Sequence, residues 1–374
     1  MTTALVLTGG GARVAYQVGV LKGIASILPR TVYNPFPIIT GTSAGAINAM
    51  SIAGRPGPFR LRIRKLETIW SNLHAEDIYR TDFRGVSTNV WRVFNSLFRS
   101  TSDPKSVSLL NNSPLRQLLN NYVKFKHLET AIENGELEGI AITAINYASG
   151  RSVTFYQGHN NLENWYRARR EGVSTQIGID HLMASAAIPS LFPAVKIDGN
   201  YYGDGALRQL KPISPALHLG AKKIVTIGVS HSTSTASNKS QPPPSIAGII
   251  GHMLNSAFTD AMESDLETLH NINKLTNALY QSQQTTTEPP QFSPIEVLSM
   301  APSESINKIA SQYLKELPRA LRLLLTSMGG GGDSGETSAA SYLLFEPSFC
   351  THLIELGYRD AMDQSLQIKA FFDL

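Results

Sequence analysis

Hydrophobic positions in the first fifty residues come in short bursts that glycines cut off. Ala4-Leu5-Val6-Leu7 is a continuous apolar run of strand length, and it stops at Thr8-Gly9-Gly10-Gly11. Pro37-Ile38-Ile39-Thr40 is a second, β-branched run that stops at Gly41, after which Ala44-Gly45-Ala46-Ile47-Asn48-Ala49-Met50 continues as a small-residue helix. Runs that are apolar at every position are what strands covered on both faces require. Further along, Glu67 to Leu73 completes a helix, and Ser113-Pro114 marks a helix start with proline at its first position. Residues 137–157 alternate around Ser149-Gly150 as a strand pair, and Val195 to Ala206 reads as a hairpin turning at Asp198-Gly199-Asn200. Lys222 to Val229 and Pro294 to Met300 read as two more strands, Ile246 to Gln281 as a long helix, and Phe349 to Phe372 as a terminal amphipathic helix.

Between these elements, the Ser/Thr-rich and Pro-rich stretch 230–245 and the segments 283–290 and 329–337 read as loose loops. Residues 79–108 are polar and irregular, yet Val90, Trp91, Val93, Phe94, Leu97 and Phe98 recur at roughly helical spacing, which suits core packing first and a lid or acyl-chain wall second. No internal repeat is visible. Strands alternating with helices predict an α/β fold, a three-layer α/β/α arrangement with a central, mainly parallel sheet. The expected organisation is a catalytic core over residues 4–215, with residues 216–374 packing onto it.

Composition narrows this picture. With 374 residues and 42% apolar content the chain can bury a substantial core, and no run approaches the roughly 18 apolar residues of a membrane span. The first strand starts by about Thr3, which leaves no room for a charged leader, and the single Cys350 cannot form an intrachain disulfide. A cytoplasmic protein is the expectation. The net charge of +4 conceals an asymmetry: residues 1–66 hold Arg13, Lys22, Arg30, Arg55, Arg60, Arg62, Arg64 and Lys65 and no acid, so the rest of the chain carries −4. A basic face of this kind is drawn to an anionic membrane surface, each nearby cation contributing about 1 kcal/mol. Without interleaved aromatics or a binding motif, nucleic acid is not an expected partner. The competing reading is a solvated helix face.

Candidate chemistry sits at the two places where glycine ends a strand. Gly41-Thr42-Ser43-Ala44-Gly45 is GxSxG, whose glycines allow a sharp strand-to-helix turn that exposes the Ser43 hydroxyl; alone, the pattern is weak. Gly9-Gly10-Gly11-Ala12-Arg13 supplies what acyl transfer also needs. The amides of Gly10 and Gly11, with that of Ala44, can converge on a developing oxyanion, each donor being worth roughly 3 to 4 kcal/mol of barrier. A dinucleotide fingerprint is the rival, but position 14 is Val and no acid occurs before Glu67. Arg13 could bind a substrate phosphate bidentately. For a base, none of the nine histidines has a recognisable catalytic setting, whereas Asp204 in Gly203-Asp204-Gly205-Ala206 sits among small residues that permit close approach.

The three motifs Gly9-Gly10-Gly11-Ala12-Arg13, Gly41-Thr42-Ser43-Ala44-Gly45 and Asp204-Gly205-Ala206, in this order, resemble those of bacterial patatin-like phospholipases. The similarity includes Ala15 to Leu21 and His181 to Pro189, and spans roughly residues 4–215. It implies a Ser43-Asp204 dyad that cleaves fatty-acyl esters of phospholipids or lysophospholipids, with no metal and no cofactor. Similar families carry a basic residue at the position of Arg13. Val14 departs from the glycine usual there, which bears on loop geometry and substrate choice. Two other readings remain open: an α/β-hydrolase-type esterase whose triad histidine is His218, His231, His252, His270 or His352, and a catalytically inactive lipid-binding protein.

Overall fold

The computed structural model describes residues 2–80, 108–159, 162–231, 245–282, 293–327 and 334–374. The aromatic stretch around Trp91 and most of the segments read as loose lie outside the described residues.

Among the described residues, ten strands form one sheet: β1 (Thr3–Leu7), β2 (Ile38–Thr42), β3 (Gly139–Asn146), β4 (Ser152–Gly158), β5 (Trp165–Arg167), β6 (Arg170–Ser174), β7 (Val195–Ile197), β8 (Asn200–Asp204), β9 (Lys223–Ile227) and β10 (Glu296–Met300). Their order is β10-β9-β1-β2-β3-β4-β6-β5, and the β7-β8 hairpin joins through β8 to the end of β3. The five neighbours from β10 to β3 are all parallel, while β4, β5 and β8 add antiparallel pairs. The sheet is therefore mainly parallel at its centre and mixed toward β5. Every residue of β1 and β2 is buried, as their unbroken apolar runs require.

The principal helices are α1 (Ala15–Ile27), α2 (Ala44–Ala53), α3 (Phe59–Trp70), α4 (Ser113–Tyr122), α5 (Lys126–Glu133), α6 (Ile179–Ser185), α7 (Ile246–Asn255), α8 (Ala261–Ser282), α9 (Ile306–Tyr313), α10 (Arg319–Ser327), α11 (Ser334–Leu343), α12 (Pro347–Asp363) and α13 (Ser365–Phe371). Alternation along β1 divides the core into two layers. Leu5 and Leu7 point with Ile39, Ile142, Val225 and Ile227 into the larger cluster, where Tyr16, Met50, Phe59, Leu353 and Leu356 cover them. Ala4 and Val6 point the other way, toward Ile213, Ala216, Met262 and Leu269. Each fully buried Leu or Ile of this kind stabilises the fold by roughly 1.5 to 3 kcal/mol. The C-terminal third belongs to the same core: α12 lies along α1, and the Tyr16 hydroxyl donates to Asp360 Oδ2 at 2.9 Å.

Several elements differ from their sequence readings for definable reasons. β2 runs on through Gly41 and Thr42, because both continue the ladder with β3. The long helix is interrupted by a π-helical turn over Ser256–Asp260 between α7 and α8. Helix α11 begins at Ser334, inside the stretch read as a loop, and buried Ala339, Ala340, Tyr342 and Leu343 tie down its far end. The terminal helix is two, α12 and α13, divided at Gln364. The β5-β6 hairpin gave no recognisable signal; its turn depends on Arg169 at φ 59°, a conformation that composition does not announce.

Candidate active site

Strand register brings the site together. Thr42 of β2 pairs with Thr143 of β3, and the next residue of β3, Ala144, pairs with Asp204 of β8. Because β4 fills the opposite edge of β3, β2 and β8 follow one another along the same edge, and Ser43 and Asp204, 161 positions apart, meet where they adjoin. The Ser43 hydroxyl donates to Asp204 Oδ2 at 2.5 Å, while Oδ1 of the same carboxylate accepts the amide of Ala206 at 2.9 Å. Ser43 is 2% exposed and Asp204 1%. Burial outweighs these two hydrogen bonds and pushes the Asp204 carboxyl up to about 7.

Ser43 alone makes the turn between β2 and α2, at φ 57° and ψ −133°. A non-glycine residue held there stores on the order of 1 to 3 kcal/mol of strain, which the surroundings must offset. Part of the offset is a latch: the Ser43 amide donates to Ser185 Oγ at 2.8 Å, and Ser185 Oγ donates to the Thr143 carbonyl at 2.6 Å. A second tie runs from the Thr42 hydroxyl to Gln209 Oε1, and Gln209 Nε2 reaches Thr143 Oγ1 at 3.1 Å. Gly45 is the residue that lets the elbow meet the glycine loop, since a Cβ there would lie 2.3 Å from the Thr8 carbonyl oxygen. Neither Ser185 nor Gln209 stands out in the sequence as a site residue. His181 to Pro189, which includes Ser185, belongs to the resemblance, but the pairing with Ser43 requires the fold.

Gly9 and Gly10 follow β1 after Thr8, and Gly11 opens a 3₁₀ turn that ends at Val14 and leads into α1. Val14 has φ −70° and is fully buried, so the backbone there needs no glycine; its carbonyl accepts from Asn48 Nδ2 at 3.3 Å. Asn48 also accepts the Trp70 indole N–H at 2.8 Å and bonds Gln17, whose side-chain amide reaches the Thr8 carbonyl. This buried network holds the back of the loop.

Gly11, Ser43 and Ala44 line a cleft with about 740 Å³ of open space, otherwise walled by Ile47, Leu66, Ile69, Trp70, Leu73, Leu115, Leu119, Ile188, Phe192, Tyr342, Leu343 and Phe345 among others. Ser43 and Ser51 supply hydroxyls to a wall that is otherwise nearly all hydrocarbon and aromatic. A second groove, with Arg55, Lys65, Lys124 and Asp77 on its sides, shares Ile69, Leu73, Leu118 and Tyr122 with this cleft.

Arg13 corrects the expectation attached to it. Rather than facing the cleft as a phosphate ligand it is 2% exposed, with its guanidinium against Ser341, Asn307, Asn255 and the ring of Tyr342. Arg62 likewise leaves the basic face: it is buried, donates to the Gly57 carbonyl at 2.6 Å and lies 3.6 Å from Glu136. Lys22 pairs with Glu67 at 2.8 Å. The histidines that follow Asp204 in the chain have other partners or surroundings: His218 stacks on Trp165, His231 bonds the Pro302 carbonyl and His352 bonds Tyr313, while His252 and His270 are exposed.

Ser43 thus stands on a strand-to-helix elbow, touching a buried carboxylate and lining an apolar cleft. The family model for patatin-like phospholipase matches residues 5–217, more than half of the chain, and the chain belongs to that family. It is 29% identical over 212 residues to a cGAMP-activated phospholipase of Escherichia coli (strain TW11681), the match covering 54% of this chain and 51% of that protein. To a protein of the same description from Pseudomonas aeruginosa (strain BWHPSA011 / Pa011) it is 25% identical over 216 residues, covering 54% and 52%. The chain thus spans about half the length of the curated relatives it matches. Among solved structures, VipD from Legionella pneumophila aligns over 98% of this chain and 67% of its own, with a TM-score of 0.36 and 11% identity. The type III effector protein ExoU aligns over 91% and 77%, with a TM-score of 0.28 and 13% identity.

Proposed function

We propose that this protein is a lipid acyl hydrolase that cleaves fatty-acyl esters of phospholipids or lysophospholipids through Ser43 and Asp204. The observation that carries the reading is the 2.5 Å contact between Ser43 Oγ and Asp204 Oδ2, with Ser43 lining an apolar cleft. The acyl chain lies along α2, α3 and α4 with its ester carbonyl at Ser43. Ser43 Oγ attacks the carbonyl carbon as its proton passes to Asp204, and the oxyanion is stabilised by the amides of Gly10, Gly11 and Ala44. Collapse expels the lysophospholipid or glycerophosphodiester alkoxide, which takes the proton from Asp204. Water then attacks the acyl-enzyme, giving its proton to Asp204; collapse breaks the Ser43 ester bond, Ser43 Oγ takes that proton back from Asp204, and the free fatty acid leaves. A carboxyl raised to about 7 is a far better matched base than one near its ordinary value.

The Ser43 amide is already committed to Ser185, which supports the amide of Ala44 as the donor from the elbow. Arg55, Lys65 and Lys124, at a groove continuous with the acyl cleft, are the part of the basic segment and its surroundings that supports contact with an anionic membrane surface.

The test is mass spectrometry of products from a mixed natural lipid extract, run with and without cGAMP because that ligand appears in the relatives' names. Wild type should release free fatty acid, while Ser43→Ala and Asp204→Asn, folded by melting profile, should release none. Full activity in either variant sinks the dyad. Loss matched by a single histidine variant would favour a triad, and failure of a fluorophosphonate probe to label Ser43 would favour an inactive lipid binder.

A further inference from the structure

We propose that Arg13 is a positioning residue that clamps the glycine loop to the C-terminal helices, so that residues outside the matched family region complete the active site. The inference rests on the hydrolase reading above and goes beyond it, because Asn255, Asn307, Ser341 and Tyr342 all lie after residue 217, where the family match ends.

Arg13 sits in the 3₁₀ turn that follows Gly10, and it is not among the residues that line the cleft. Its Nε donates to Ser341 Oγ at 2.8 Å, Nη2 to Asn307 Oδ1 at 2.6 Å and Nη1 to Asn255 Oδ1 at 3.3 Å. The guanidinium carbon lies 3.8 Å from the centroid of the Tyr342 ring. Those partners come from three different elements: the end of α7, α9 and α11. Loss of water on burial pulls the Arg13 pKa down, and a buried guanidinium is costly unless its hydrogen bonds are well made. A geometry this specific fits a role in fixing one element against others.

The clamped elements bear directly on the loop and the cleft. Gly11 has φ +54°, and a Cβ there would fall 2.1 Å from the Tyr342 carbonyl oxygen, so the backbone of α11 rests on the glycine whose amide is assigned to the oxyanion. The Tyr342 ring stacks at 5.4 Å on Phe258, in the π-helical turn, a form enriched at functional sites. Tyr342, Leu343 and Phe345 also wall the cleft, and Tyr79 donates to the Leu343 carbonyl at 2.7 Å. Displacing α11 would therefore move the oxyanion loop and the acyl wall together.

The experiment compares Arg13→Lys and Asn307→Ala with wild type on two substrates, phosphatidylglycerol vesicles and uncharged p-nitrophenyl butyrate. Each protein is also timed for labelling by a neutral fluorophosphonate. A mispointed donor costs on the order of 10- to 100-fold in turnover. Arg13→Lys should lose about that much kcat on both esters, with KM within about threefold, and labelling should slow in parallel. Asn307→Ala, whose contact is with the clamp and not with substrate, should shift the same readouts by a smaller factor, and it decides the matter if Arg13→Lys does not fold. A loss confined to phosphatidylglycerol and expressed in KM overturns the clamp in favour of phosphate binding. So does unchanged turnover in folded variants. If wild type itself neither turns over the neutral ester nor labels, the hydrolase reading fails first, and the clamp with it.

Discussion

Asp204 is a carboxyl placed where its charge is disfavoured, and that conflict makes two measurable predictions. As the proposed base for Ser43 it must be ionised, so hydrolysis should rise with pH and level off above about 7, the position to which burial pushes the group. Stability should run the other way. Between the ordinary carboxylate value of 3.8 and about 7 the folded protein keeps a proton that the unfolded chain releases, so raising pH through that window destabilises the fold. The deficit reaches on the order of 4 kcal/mol and is constant above it. Asp204→Asn, which cannot ionise, should therefore gain melting temperature over wild type progressively from pH 4 to pH 8. A difference that stayed flat across that range would contradict the raised pKa. Asp204 was legible as a candidate from its small neighbours, whereas its shift follows from burial that no local sequence displays.

Among the elements, the elbow depends on a residue from a distant helix. Ser185, the last residue of α6, bridges the Ser43 amide to the Thr143 carbonyl and so holds a strained turn against β3. Ser185→Ala should leave that buried amide without its acceptor, at about 1 to 3 kcal/mol in stability, and should lower kcat more than KM. Melting profiles and steady-state kinetics on a neutral ester check both. Strands β1, β2, β3 and β9 were readable because each is an uninterrupted apolar or alternating run closed by a turn signal. The β5-β6 hairpin and the start of α11 were not: one turns on a non-glycine residue at positive φ, the other is stabilised by burial of its far end.

For the whole molecule, the cleft and its basic border set what the protein can engage. No described helix is long and apolar enough to cross a membrane. Lys65→Glu with Lys124→Glu should weaken sedimentation with anionic liposomes severalfold at low salt and little at high salt, while turnover of a soluble ester is unchanged. Indifference of binding to both lipid charge and salt would remove the electrostatic reading. Within the cleft, Leu115→Trp should shorten the preferred acyl chain, seen as a shift in the fatty acids released, because Leu115 lines the wall on α4.

The sequence by itself determined the strand, glycine and serine pattern of the elbow, the glycine loop after β1 and the Asp204 turn, because these depend on local backbone freedom and short-range hydropathy. Tertiary structure decided where the side chains go. Arg13 reads as a phosphate ligand when only its neighbours in the chain are known, and becomes a clamp once Asn255, Asn307 and Ser341 are folded around it. Arg62 leaves the basic face in the same way, by meeting Gly57 and Glu136. Side-chain partners are set by contacts across hundreds of positions, and the register of β2 and β8 along one edge of β3 is what converts two distant motifs into one site.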